Sequence, residues 1–302
     1  MNSYALYGTS LRSGEPFPEL TPAANGLWHF SRGPLAHPSP AIWATIWTRP
    51  GGAPWLRVAE LDSAWHFAFT DTADFRATAA ARSIENLDED GPNVTVRHLL
   101  IDQLMPLLLS LDSVVLHASA IAIEGRAVAL IAPGGGGKST MALQLSRLGC
   151  AVLSDDALVV EAAGGLPIAL PAYPGLRLWP DSLNDADRAV SHTVAEYSPK
   201  KRLVGTLPFQ SGPLPLERIY VLNRGMRGPS TFERLPPARL LEVLLSQAFR
   251  LDVHGRERSR AHFERLSTLC ERVRAWRVRL PDDLATAAAA ARDVLTHARA
   301  HR

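Results

Sequence analysis

Four consecutive glycines, Gly134 to Gly137, run directly into Lys138 and Ser139. Such a run does not belong inside a helix or a strand, because glycine loses the most backbone freedom on ordering. It is a loop, and its flanks say what it joins. Before it, Ala127 to Ile131 is an unbroken apolar run of strand length. After it, Met141, Leu145 and Leu148 recur at helical spacing, and Gly149 stands where a C-terminal cap belongs. Strand, glycine loop and helix in this order turn successive backbone N–H groups inward, in front of the positive end of the helix. That is a cradle for phosphate. Lys138 would place a compact charge on the outer phosphates, and Ser139 a hydroxyl on Mg²⁺. Ala132 replaces the first glycine of the usual pattern, with the loop itself intact. Ala132, Pro133, Gly134, Gly135, Gly136, Gly137, Lys138, Ser139 and Thr140 are the expected nucleotide-binding residues, with ATP and Mg²⁺ as the expected cofactors.

Two further groups are expected near this loop. Asp155 and Asp156 follow the next apolar strand, Cys150 to Leu153. Ligands of an α/β sheet sit at the carboxyl ends of its strands, so both carboxylates would face the phosphates. One can hold Mg²⁺, directly or through water, and the other can take a proton from an attacking hydroxyl. The alternative is a pair of turn or cap aspartates. His117 lies in the apolar run Val114 to Ile123. If Glu124-Gly125 is a two-residue turn, Ile123 pairs with Arg126 and paired residue numbers sum to 249. His117 then falls opposite Ala132, beside the loop. A lone histidine on an apolar strand is more often a satisfied core residue; this position makes phosphate contact, or tuning of an acid/base partner, the stronger reading.

Along the chain, residues 1–93 read as a β-rich domain and residues 94–302 as the domain that carries the loop. The expected strands of the first are Ser3–Leu11, Ala41–Thr48, Trp55–Leu61, Ala64–Thr70 and Phe75–Ile84, separated by turn signals such as Pro38-Ser39-Pro40 and Pro50-Gly51-Gly52. Asn86 to Asn93 is a polar joint. Val94 to Leu111 carries a helical leucine stripe, Gly164 to Pro215 mixes strands and loops, Arg218 to Leu222 is a strand, and Pro236–Leu251, Arg258–Trp276 and Asp283–Ala300 are expected helices. The expected fold class is α/β, mixed with α+β character.

Composition narrows the function. The net charge is +2 and no long basic run exists, which argues against a nucleic-acid partner. No apolar run reaches the ~18 residues of a membrane span, and the opening residues show no export signal. Cys150 and Cys270 make no disulfide framework, so a cytoplasmic location is expected. Lysine is nearly avoided: of 32 basic residues only Lys138, Lys200 and Lys201 are lysine. Pro199-Lys200-Lys201-Arg202 is therefore either a solvated charge cluster or a source of a cation for a transferring phosphoryl group. Arg224 and Arg227 are weaker candidates, and the arginines of His254 to Arg260 read as a solvated face.

His117-Ala118-Ser119, Ala132 to Ser139 and Leu153-Ser154-Asp155-Asp156 together resemble the catalytic domain of HPr kinase/phosphorylase, whose fold is related to phosphoenolpyruvate carboxykinase. In that family a histidine precedes the loop lysine by the spacing of His117 to Lys138, and an aspartate follows it by that of Lys138 to Asp156. The resemblance implies Ser139 as a metal ligand and Asp156 as the catalytic base. Where the family carries a glutamate-isoleucine-arginine-glycine segment, this chain has Pro174 to Asp181, which makes Asp181 a candidate metal ligand and Arg177 a candidate phosphate contact. The chain is more similar still to the HPr-kinase-like proteins of lasso-peptide gene clusters, through Tyr4 to Gly8, Arg177 to Asp181 and Lys201-Arg202. Some of these phosphorylate a serine of a precursor peptide. The expectation is thus an ATP-dependent kinase with catalytic Asp156, Lys138, His117, Asp155 and Arg202, metal contacts from Ser139, Asp155 and Asp181, and a peptide or protein serine as acceptor. A kinase of a small alcohol and a non-catalytic ATP-binding switch are the alternatives. Homo-oligomerisation stays open.

Overall fold

The computed structural model describes residues 1–33, 43–48, 51–88, 93–226, 228–251, 255–281 and 283–300. Pro38 to Ile42, Pro50, the middle of the polar joint (residues 89–92), Arg227 and His254 lie outside the described residues. The fold is mixed α/β, built on two nine-stranded sheets and one small sheet.

The first sheet runs in the order Thr21–Pro22, Asn2–Leu6, Thr9–Ser13, Trp28–Arg32, Ser83–Asn86, Ala73–Thr78, Ala64–Phe69, Pro54–Leu61, Thr45–Thr48. Two expected strands are in fact hairpins. Ser3–Leu11 breaks at Tyr7-Gly8, where both residues take positive φ (51° and 70°), the geometry a two-residue turn requires. Phe75–Ile84 likewise breaks at the turn ending in Arg82. The core behind this sheet holds Phe30, Phe67, Phe75 and Ile84, and also Leu99, Leu100 and Leu104 of the next helical segment.

That segment is continuous from Asn93 to Leu109 but passes through a π-helical turn at Leu100–Leu104. Turns of this kind are rare inside α-helices and frequent at functional sites. This one carries Asp102 into the interior, 1% exposed.

The second sheet runs Val114–Leu116, Leu158–Ala163, Leu166–Ala169, Leu214–Met226, Arg126–Ile131, Ala118–Ile123, Ala151–Ser154. Arg274–Pro281 adds in parallel to Leu214–Met226 and pairs on its other side with Thr231–Leu235. Alternation along the strand before the glycine loop sorts side chains to two helical layers. Ala127, Ala129 and Ile131 pack toward Leu240, Leu244, Leu266 and Leu269. Val128 and Leu130 pack toward Leu145, Val294 and Leu295.

The glycine-loop helix spans Lys138–Arg147, with Met141 and Leu145 buried and Gly149 at φ 90°. Leu148, expected on the buried stripe, is exposed because it is the C-cap. The expected helix Arg258–Trp276 ends at Arg272. The residues after it alternate and form the strand Arg274–Pro281, burying Trp276, Val278 and Leu280 on one face. The expected single strand Val114–Ile123 divides at His117: its first part pairs with Leu158–Ala163, its second with Arg126–Ile131. Cys150 and Cys270 are free and buried. Among the described residues no helix is long and apolar enough to cross a membrane.

Candidate active site

The pairing Ile123↔Arg126 through Ala118↔Ile131 has the forecast register. It delivers the chain to Ala132 and Pro133, where the loop begins. Gly136 N–H donates to Pro133 O at 2.9 Å, and a Cβ on Gly136 would sit 2.6 Å from the Ala132 Cβ. The loop therefore folds on itself too closely for any side chain at that position. Gly135 and Gly137 take φ of 76° and 90°, the left-handed region. Lys138 Nζ curls back and donates to Ala132 O at 2.8 Å, so its charge lies over the loop. Burial, with help from Lys200 and Arg177 and against Asp155, lowers its pKa to about 8.

The two aspartates have different surroundings. Asp155 is buried, and Oδ1 accepts from the hydroxyls of Ser119 (2.5 Å) and Ser139 (2.9 Å), while Oδ2 accepts from the Arg177 backbone N–H (2.8 Å). It stands behind Ser139 and holds that hydroxyl in place. Asp156 lines the cavity in front of the loop and has φ of 63°. A non-glycine residue held there is strained unless it sits in a turn built for it, and such strain gathers at functional sites. Its carboxylate pairs with the Arg177 guanidinium.

His117 occupies the break between its two strands, its N–H donating to Gln247 O at 2.6 Å. Its Nδ1 lies 3.0 Å from Asp156 O. A carbonyl can only accept, so Nδ1 carries the proton and Nε2 is left as an acceptor. Burial, then Lys138, Arg177 and Lys200, push its pKa down to about 3, and the ring is neutral.

The basic side chains come from the small sheet, where Gly175–Leu178 pairs with Lys201–Val204. Arg177↔Arg202 are partners in that register, and Trp179 and Lys200 follow on the same face. Arg177, Trp179 and Lys200 reach the cavity. Arg202, expected as a phosphate contact, does not: it is 2% exposed and paired with Asp102 and, at 3.8 Å, with Glu19. Alternation alone separates Lys200 from Lys201, which lies outside the cavity lining. Asp102 also contacts Arg177 at 3.5 Å and accepts from Tyr173 Oη at 2.7 Å. Burial alone would raise the Asp102 carboxyl; Arg177 and Arg202 outweigh it and hold the group well below the usual carboxylate range. Arg177 is thus fixed between a buried carboxylate and Asp156. Sequence reasoning missed Asp102, whose signal was a lone acid inside a leucine stripe.

The cavity also takes in Thr140, Asp181, Ser182 and Arg224. Ser139 and Asp181 offer oxygen donors, which suits a hard cation that keeps water and takes its remaining ligands from phosphate. Among the described residues no three His, Cys, Asp or Glu side chains gather to cage a metal. A second cavity of about 550 Å³ adjoins the first at Asp156. It shares His117, Gly134, Asp156 and Arg177 with the first, and is walled by Trp47, Gln103, Leu107 and the segment Leu245 to Arg250.

No family model matches the chain, and no curated protein matches it in sequence. Among solved structures it is similar to the HPr(Ser) kinase/phosphatase from Coxiella burnetii, at 13% identity and a TM-score of 0.35, over 62% of this chain and 95% of that one. The fold and site by themselves define a mixed α/β protein with a glycine-rich loop between a strand and a helix.

Proposed function

We propose that the protein is a Mg²⁺-ATP-dependent kinase that passes the terminal phosphoryl group to a serine hydroxyl of a peptide or protein. One observation carries this reading: Asp156 stands in the wall common to two adjoining cavities, one lined by the glycine loop from Gly134 to Ser139 and the other by Trp47, Leu107 and Phe249. In-line transfer needs that arrangement, because the acceptor must approach the phosphorus opposite the leaving oxygen.

In this mechanism the loop amides and Lys138 hold the β- and γ-phosphates. Asp156 takes the proton of the acceptor hydroxyl as its oxygen bonds to the γ-phosphorus and the bond to ADP breaks. Arg177, already beside Asp156, neutralises charge on the transferring group. His117, neutral and fixed through Nδ1, holds the Asp156 backbone in its strained conformation. Magnesium, when bound, offsets phosphate charge, with Ser139 and Asp181 as its protein contacts and Asp155 acting through Ser139. The second cavity is of the size of small-molecule and peptide sites. Its mixture of Trp47, Leu107 and Phe249 with Gln103 and Ser246 suits a peptide segment better than a small polyol. The resemblance to lasso-cluster proteins supports the same acceptor class.

The test is mass spectrometry after incubation of the protein with Mg²⁺-ATP and either serine-containing peptides or small alcohols. A gain of one phosphate on a peptide is expected. Phosphate only on an alcohol moves the acceptor class, and nucleotide binding without any transfer removes the kinase reading. Asp156→Asn is expected to lower transfer by about 10³-fold, within the range for general-base catalysis, with ATP affinity kept. An active Asn variant would take Asp156 out of the chemistry.

A further inference from the structure

The donor site holds one large group that phosphate chemistry does not use. Trp179 is 47% exposed although Leu178 before it is buried, and it lines the same cavity as the loop. A single exposed indole is unremarkable on a protein surface. This one is held in place. Pro180 follows it and keeps its backbone extended (φ −66°, ψ 146°), and its carbonyl accepts from Ser182 N–H at 2.9 Å in the short turn Pro180–Ser182. Lys200 Nζ sits 5.7 Å from the ring centroid, a cation–π distance.

The direction of the site says what the indole faces. Transfer takes place at the Asp156 end, so a nucleoside must leave the loop at the opposite end. Thr140, in the first turn of the loop helix, meets Ser182 Oγ at 3.0 Å. That contact ties the turn carrying Trp179 to the helix that receives the inner phosphates. A rigid, half-exposed ring next to the inner phosphates is a stacking surface for a nucleobase.

We infer that Trp179 is the base platform of the donor site, so that the donor is a nucleoside triphosphate and not an inorganic polyphosphate. The inference rests on the phosphate-loop reading above. Stacking of a base on an aromatic ring is worth about 1–3 kcal/mol, roughly a five- to hundredfold change in affinity.

Calorimetry with Mg²⁺-ATP and with Mg²⁺-tripolyphosphate separates the two contributions. Trp179→Leu keeps bulk without a π-face, and Trp179→Phe keeps a smaller ring and guards against a folding defect. The expected result is ATP binding weakened about tenfold or more in Trp179→Leu and about threefold or less in Trp179→Phe, with tripolyphosphate affinity the same in all three proteins. Equal losses for both ligands, or no loss for ATP, overturn the inference while leaving the phosphate loop standing. A wild-type protein that binds neither ligand overturns the nucleotide reading and this inference together.

Discussion

The two halves of the molecule use their backbone and their charges differently. In the first sheet the positive-φ residues other than glycine, Tyr7, Asp62, Asp71 and Arg82, all sit in turns between paired strands, where that geometry is required. In the second half Glu124 does the same, but Asp156 does not: the strands before and after it pair with other partners. The charged groups divide in the same way. Around the second sheet and the small sheet, Asp102, Lys138, Asp155, Asp156, Arg177 and Arg202 are all buried. Among the described residues of the first sheet region only Glu19 and His66 are, and Glu19 is directed at Arg97 and Arg202 of the other half. One half is mainly packed apolar support, with Trp47 reaching the second cavity. The other keeps strain and desolvated charge where the chemistry is proposed to occur.

The largest effect expected from this difference is on stability alone. Phe67 is fully buried in the strand Ala64–Phe69 of the first sheet. Phe67→Ala should cost about 3–5 kcal/mol, seen as a lower Tm, while ATP affinity per folded molecule, measured at low temperature, stays at the wild-type value. If affinity falls along with Tm, the first half is part of the site and the division above is wrong.

The loop tests the other side. Gly136→Ala should weaken Mg²⁺-ATP by about tenfold or more, because the new Cβ meets Ala132 and the Pro133 carbonyl and pushes the amides outward. Gly134, with open space around its Cβ position and no positive φ, should accept alanine with no fall in Tm. Equal Tm losses in the two variants would mean that the loop is not packed as described.

A smaller effect follows from Lys138. Its pKa of about 8 lies below the ordinary 10.5, mainly through burial. The cationic form binds phosphate, so ATP affinity should fall by up to tenfold per pH unit above about pH 8. Stability moves in the opposite direction: between pH 8 and 10.5 the unfolded chain holds the extra proton, so rising pH removes a penalty from the native state. Titration by calorimetry beside thermal melts separates the two. Lys200 is also lowered by burial; Lys200→Arg should leave the midpoint in place, and a midpoint that disappears in that variant assigns it to Lys200.

What was legible in the sequence divides along the same line. The glycine loop, its strand and helix, the Ile123↔Arg126 register and the site of Asp155-Asp156 are local, set by residues within a few positions of one another. The fate of Lys200, Lys201 and Arg202 was not local. Three adjacent cations end in the cavity, outside it and buried beneath it: pairing with Gly175–Leu178 separates Lys201 from the other two, and the carboxylates of Asp102 and Glu19 hold Arg202 in the interior. Asp102 was hidden because its partners, Arg177 and Arg202, are distant in the chain. The helix expected over Arg258–Trp276 failed at its end because arginine-rich helix and arginine-rich strand meet there with no glycine or proline between them.

The smallest expected effect probes a buried ion pair between the halves, one of several polar links that also include Glu60 with Arg258 and Gly8 N–H to Pro171 O. Glu19 accepts from Arg97 Nε at 3.0 and 3.1 Å and lies 3.8 Å from Arg202. Arg202 pairs with Asp102, Asp102 with Arg177, and Arg177 with Asp156. Glu19→Gln keeps the shape and removes the charge. If the first half only supports, turnover should fall about two- to threefold, the change made by a barrier shift of about 0.5 kcal/mol, and the KM for ATP should not change. A drop as deep as that of Asp156→Asn would make Glu19 a determinant of Arg177 position, acting through Arg202 and Asp102. No change at all would show that Asp102 and Tyr173 suffice to fix the arginines, and that the sheet's contribution to the site is apolar packing alone.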